Sequence, residues 1–309
     1  MHKGGKKLIM ILITFMSGIS LLLFVLTISL IFLFLENKIF HIDTNDGHVF
    51  DLYERLLRGD CAGKCPPPCL YISCLCLLMV FTLLPMGALP QFIETRGDIF
   101  VIMILIASAQ SFYIRGMRKY SGKLYQSLDT KELYMLSRLI VVLIITGGTL
   151  SWYALYRGMP GNIFSINTFG AMSLWNVTGN YGKLGILMFV ILLAVVSPCR
   201  RSPDRNAASD IPLPEIFDAV RSTIIPAMTV SVFFPFRYGV ELGLLGFTMY
   251  AVDFILYWFK VFVFQIFVLP FIYNIYMKAK SRLPEHLNLS IAIIIAVSAV
   301  ALFMLDLYV

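Results

Sequence analysis

Residues 8–35 form an apolar run with no charged residue in it. A bilayer core about 30 Å thick needs about 20 consecutive apolar residues for a helical crossing. The run is too long for the apolar core of a signal peptide, and Gly18-Ile19-Ser20 lies inside it without ending it. Seven further runs follow, so the chain is expected to be an all-α, polytopic membrane bundle of about eight helices. The expected spans are 8–35, 69–92, 98–115, 132–155, 182–198, 219–236, 244–275 and 288–308. The whole chain, 1–309, reads as one integral membrane domain. Span seven is long and contains Pro270, which predicts tilt or a kink. The division between spans six and seven rests on Phe236-Arg237-Tyr238-Gly239, read as a tight polar turn.

Composition supports this class. The chain is 59% hydrophobic and only 14% charged, with a mean hydropathy of +0.81. Soluble domains are about 25% charged, so a soluble enzyme, a disordered chain and a disulfide scaffold are all excluded. The net charge of +7 is carried in short connections beside apolar runs. It therefore points to membrane topology rather than to nucleic acid. Basic residues concentrate in the connections after spans one, three, five and seven, as in Arg115, Arg118, Lys119 and Lys123, or Arg200, Arg201 and Arg205. The positive-inside rule places those connections in the cytoplasm and both termini outside, with Lys3, Lys6 and Lys7 pulling the other way. The same connections carry many acids and form a mixed-charge face suited to protein docking, or a plainly solvated one.

Reactive residues are few. Cys61, Cys65 and Cys69 recur every four residues and are weak candidates for zinc or iron–sulfur ligation. The spacing is not CxxC and three prolines stiffen the stretch, so a structural role outweighs metal binding. The four histidines are scattered, and no HExxH, Walker A or GxGxxG pattern occurs. No catalytic residue is assigned.

Ionisable residues inside apolar runs carry more information, because lipid penalises them unless they face the bundle interior or a wet cavity. Arg138 falls in span four. Asp253 and Lys260 fall in span seven, seven residues apart and so on one helix face. Asp306 falls near the end of the last span, where it either snorkels or belongs to a proton or ion path with hydrated polar partners. The set reads as part of an ion path or as helix-packing pairs. The stretch Arg200–Arg221 places Asp210, Glu215 and Asp218 around Pro214, a residue suited to a first helical turn. It reads as a docking or proton-accepting vestibule, or as a solvated loop.

The order of motifs then resembles a known family. Glu36 closes the first span, and Asp51-Leu52-Tyr53-Glu54-Arg55-Leu56-Leu57-Arg58 follows. Leu84-Pro85-Met86-Gly87 closes the second span, and Gly97-Asp98-Ile99 opens the third. Tyr120-Ser121-Gly122 and Thr130-Lys131-Glu132 lead into the fourth. Ser202-Pro203 and Asp210-Ile211-Pro212-Leu213-Pro214-Glu215 precede the sixth. Phe259-Lys260-Val261-Phe262 precedes Arg282-Leu283-Pro284. Over about residues 30–285 this resembles, as a divergent member, the membrane subunit family shared by respiratory complex I and energy-converting nickel–iron hydrogenases. The hydrogenase branch, of formate hydrogenlyase and methanogen type, is the nearer.

The resemblance implies a non-catalytic anchor that couples electron transfer in a soluble module to proton or sodium movement. It implies no cofactor in this chain, with the nickel–iron centre and iron–sulfur clusters in partner subunits. The implied partners are hydrogenase-like large and small soluble subunits and antiporter-like membrane subunits. The acids carried over are Glu36, Asp51, Glu54, Glu132, Asp210, Glu215 and Asp218. Arg138, Asp253 and Lys260 join them as coupling candidates from their depth alone. The alternative is a stand-alone secondary transporter or permease, although no inverted repeat is evident. An intramembrane hydrolase is the least favoured reading.

Overall fold

The computed structural model describes residues 3–39, 67–86, 98–121, 126–159, 162, 164–171, 174–196, 213–280 and 287–308. Among these the chain is helical, and the only bridge between extended residues is an isolated antiparallel one, Asp98 to Ser165. The long helices are α1 (Lys3–Ile39), α2 (Pro68–Leu83), α3 (Ile99–Ser121) and α4 (Gln126–Tyr156). Two short helices, α5 (Ile166–Ala171) and α6 (Leu174–Val177), lead into α7 (Asn180–Val196) and α8 (Leu213–Phe233). A single turn, α9 (Tyr238–Glu241), precedes α10 (Phe247–Val263). A π-helical turn (Phe264–Val268) joins α10 to α11 (Leu269–Lys280), and α12 (Leu287–Tyr308) ends the chain. Asp51, Glu54, Asp210, Cys61 and Cys65 lie outside the described residues, as does the side chain of Glu132.

Proline and glycine set the helix ends. Pro68 opens α2, where a missing N–H costs nothing. Leu84 is extended at φ −85°, ψ 133°, because Pro85 disfavours a helical residue before it. Pro214 falls in the first turn of α8, as its neighbours predict. Asp98 caps α3 by accepting the Phe100 amide at 2.9 Å.

Among the described residues five helices are long and apolar enough to cross a membrane: Gly18–Glu36, Ile99–Lys119, Leu136–Tyr156, Leu213–Phe233 and Phe247–Tyr276. Three shorter apolar helices, Pro68–Leu83, Asn180–Val195 and Ala292–Tyr308, accompany them. This is the make-up of a multi-pass membrane bundle. Large side chains such as Ile104 at 64%, Ile255 at 65% and Phe271 at 66% exposure lie on its outside. In water such a surface would drive aggregation; in lipid it costs nothing.

The core forms around α8, 83% of whose apolar window is buried. Helix α8 packs on α1, α2 and α10, while α2 packs on α3 and α7 on α12. Small residues permit the close pairs. A Cβ on Gly116 would stand 2.8 Å from the Leu70 side chain, and one on Gly185 would stand 2.7 Å from the Phe303 ring. Gly116→Val is therefore expected to destabilise the α2–α3 pair by about 1–3 kcal/mol through overpacking. Thermal unfolding in detergent reads this directly.

One local expectation is corrected. The boundary between spans six and seven is not a tight turn at Phe236–Gly239. Residues Phe234 to Arg237 are non-helical, and Tyr238 and Gly239 already belong to the one-turn helix α9. Pro235 cannot donate to the ladder of α8, and the return to α10 runs through Gly243 and Gly246 at φ 66° and 63°. Pro270 stands inside the seventh span as read, in the first turn of α11. The π turn just before it absorbs the misfit of a residue that has no N–H to donate.

Candidate functional site

Helix α8 carries polar side chains at both of its ends. At its start Glu215 and Asp218 are half-buried, three residues apart and so on one face. Asp218 lies 3.6 Å from the Arg221 guanidinium. Arg221 also donates to Gln110 Oε1 of α3 at 3.1 Å and lies over the Phe217 ring. Phe217 in turn stacks on Tyr113 at 4.0 Å between centroids. One turn on, Ser222 Oγ accepts from Gln265 Nε2 at 3.2 Å. Gln265 sits in the π turn and is 4% exposed, so the irregular turn is what brings its amide to α8.

The second group surrounds the break after α8. Lys260 Nζ donates to the carbonyl oxygens of Phe236 at 2.9 Å and Phe234 at 3.3 Å. It also lies 5.4 Å and 5.1 Å from the ring centroids of Phe236 and Tyr238. A cation is thus held by the free carbonyls of a helix C-terminus and two aromatic faces, both of which favour positive charge. Asp253, 2% exposed, accepts the Gly239 amide at 2.7 Å through Oδ1. Its Oδ2 is buried and accepts no hydrogen bond among the described residues. The close approach depends on glycine, because a Cβ at Gly239 would meet the Met249 carbonyl oxygen at 2.7 Å. Tyr257 OH reaches Ser231 Oγ at 3.1 Å and the Ala227 carbonyl at 3.2 Å. Ser231 and Tyr257 line one small cleft with Pro85, Phe236 and Lys260.

Asp253 and Lys260 share a helix, as their spacing requires. Each grips the backbone of the connection between α8 and α10, Asp253 at an amide and Lys260 at two carbonyls. Ser222 and Ser231 mark the inner limits of the two polar groups, about 13 Å apart along the axis at about 1.5 Å per residue. Between them Thr223 and Thr229 spend their hydroxyls on Ala219 and Ile225 carbonyls of α8 itself.

The other expected residues fall elsewhere. Glu36 is half-buried near the end of α1, and Arg138 is half-buried in α4; both have interaction partners. Cys69 is a free thiol in the first turn of α2. No cluster of His, Cys, Asp or Glu suited to a metal occurs among the described residues.

Asp306 does not snorkel. It is 5% exposed because its carboxylate is fully used inside the bundle. Oδ2 accepts from Tyr153 OH at 2.7 Å, Arg157 at 3.2 Å and the Gly179 amide at 3.1 Å; Oδ1 accepts the Gly182 amide at 2.9 Å. The carboxylate caps the positive end of α7 and ties it to α4 and α12. The sequence analysis assigned no site role to Arg157 or Arg221 and passed over Gln110, Gln265 and Tyr257. The available signal for Arg157 was Tyr153 four residues earlier, on the same helix face.

No protein-family model matches the chain, and no curated protein sequence matches it.

Proposed function

We propose that the chain is the membrane-anchoring, ion-translocating subunit of an energy-converting hydrogenase or complex I-like assembly. The observation that supports this reading most is the pair of polar groups set into the ends of the central helix α8. One contains Asp218, Arg221 and Gln110; the other contains Asp253, Lys260, Ser231 and Tyr257. Buried charge of this kind is costly in lipid and is by default a candidate for a path or a switch. The first group follows directly on the stretch whose Asp210, Pro212 and Glu215 resemble the family's coupling loop.

Counting the three shorter apolar helices as crossings gives eight spans. Under the positive-inside rule the connections after spans one, three, five and seven face the cytoplasm, where a soluble redox module docks. The nickel–iron centre and iron–sulfur clusters belong to that module, and antiporter-like proteins extend the membrane arm. In this scheme the chain performs no bond chemistry. Its charged side chains respond to charge arriving in the docked module and pass that change into the membrane.

The test is gentle, tagged purification from the native membrane followed by mass spectrometry of what comes with the chain. Recovery of a hydrogenase-like large subunit, an iron–sulfur small subunit and antiporter-like proteins is the expected result. Recovery of the chain alone overturns the reading. A stand-alone transporter is then favoured by a specific observation, the helix break at Phe234 to Arg237 with its carbonyls turned onto a cation.

A further inference from the structure

The outward side of α3 ends in charge. Ile104, Ser111 and Arg115 are exposed, and their spacings of seven and four put them on one face of the helix. Lys119, also exposed, continues that face one turn beyond Arg115. Ile104 belongs to the apolar exterior of the bundle, so in a membrane this face meets acyl chains. A cation on such a face is costly unless it reaches the headgroups or meets an opposite charge.

The packing of α2 on α3 gives the level of the two cations. A Cβ on Gly116 would stand against the Leu70 side chain, so Leu70 and Gly116 are level. Helix α2 begins at Pro68, two residues before Leu70. Arg115 therefore lies where α2 starts, and Lys119 about 6 Å further out at about 1.5 Å per residue. The crossing Ile99–Lys119 ends here too. Tyr71, next to Leu70, is exposed, as tyrosines at a membrane–water boundary are. Arg115 and Lys119 thus stand on the lipid-facing side at the level of the headgroups.

Both cations are uncommitted. Neither side chain makes a hydrogen bond or ion pair among the described residues, whereas Arg118 of the same turn has partners. The other arginines near helix ends are engaged, Arg157 with Asp306 and Arg221 with Asp218. Helices α2 and α3 contain no acid, so the closely packed pair offers the two cations no counter-charge of its own. A phosphodiester supplies one. Its oxygens match the planar fork of a guanidinium, and an ammonium one turn away adds a point charge. A zwitterionic lipid brings its own cation to compete with these two, and an anionic lipid does not.

We infer that Arg115 and Lys119 hold the phosphate of an anionic phospholipid, whose acyl chains run along the Ile104 face of α3. The bound headgroup fixes the level at which α3 leaves the membrane. This inference does not depend on the ion-translocating reading.

The test is competition between two lipids for the protein, purified with any partners from its native membrane into mild detergent and delipidated. Equal amounts of dioleoyl phosphatidylglycerol and dioleoyl phosphatidylcholine are added, and bound copies of each are counted by native mass spectrometry. The wild type is expected to favour phosphatidylglycerol by about tenfold, since each cation at an anionic headgroup adds a several-fold gain. The double variant Arg115→Gln, Lys119→Gln is expected to lose the preference while unfolding at the wild-type temperature without lipid, because both side chains are exposed. Lys183→Gln, which removes a cation near the start of α7, is expected to keep the preference. Equal binding of the two lipids by the wild type overturns the inference. So does a preference that survives in the double variant, or one lost equally in Lys183→Gln, which would make net charge responsible. Loss of a protein partner from the double variant with no change in the lipid ratio overturns it in favour of a protein-docking face.

Discussion

Asp306→Ala is expected to cost about 3 kcal/mol of stability, the largest loss among single substitutions at the polar positions of this chain. The estimate follows from what the carboxylate leaves behind. Tyr153 is fully buried and donates to Asp306 at 2.7 Å. The Gly182 amide is buried at the start of α7 and donates at 2.9 Å. Each becomes a buried donor without an acceptor, at about 1–3 kcal/mol apiece. Arg157 behaves differently. Its side chain is 37% exposed, so water takes over its hydrogen bonds, and Arg157→Ala is expected to cost only about 1 kcal/mol. The order Asp306→Ala well above Arg157→Ala is the discriminating result, read from thermal unfolding in detergent. Equal losses would mean that the ion pair, and not the cap on α7, holds α12 in place. Asp306→Asn is expected to fall between, because the amide can still accept from one backbone N–H but lacks the charge that the α7 terminus attracts.

The same residue shows what could be read from the sequence. Apolar runs are visible as runs, so the helical class and the five described helices long and apolar enough to cross a membrane could be read from them. A charge inside such a run is also visible, and Asp253, Lys260 and Asp306 all stand out. Their partners do not, because those partners are mostly backbone groups. Lys260 binds the carbonyls of Phe234 and Phe236, Asp253 binds the amide of Gly239, and Asp306 binds the amides of Gly179 and Gly182. Every residue supplies a carbonyl and every residue but proline an amide, so only the fold says which are free. The break after α8 is blurred for a related reason. Leu244, Leu245 and Phe247 read as membrane-embedded, while the geometry is decided by Pro235 and by two glycines with positive φ. Gln110 and Gln265 are invisible because an uncharged amide in an apolar helix carries no warning, and only the π turn brings Gln265 to Ser222.

Lys260→Met is expected to cut ion movement per electron transferred at least about tenfold, the factor that about 1.4 kcal/mol of added barrier produces. The measurement is redox-driven ion uptake by proteoliposomes that hold the complete assembly, alongside the redox rate of the soluble module, which is expected to persist. The expectation rests on the site's electrostatics. The ammonium is the positive charge set against the Phe234 and Phe236 carbonyls, and Asp253 grips the same connection two turns away on the same helix. Removing it leaves two carbonyls at a helix C-terminus and a buried carboxylate without their counter-charge, so a potential well for a cation becomes uncompensated. Part of the effect will be structural, because hydrogen bonds from a charged donor contribute about 1.5–3 kcal/mol. Asp306→Ala separates the two contributions. It weakens the bundle through α7 and α12 while leaving the break after α8 intact, so it should lower the unfolding temperature with no change in the ratio of ions to electrons. Lys260→Arg keeps the charge but not the shape, since a planar guanidinium meets the two carbonyls and the two rings differently from a compact ammonium. A ratio restored in Lys260→Arg and lost in Lys260→Met assigns the role to the charge itself. A ratio unchanged in both makes Lys260 a brace for the helix break, and the ion path must then run through Asp218, Arg221 and Gln110 without it.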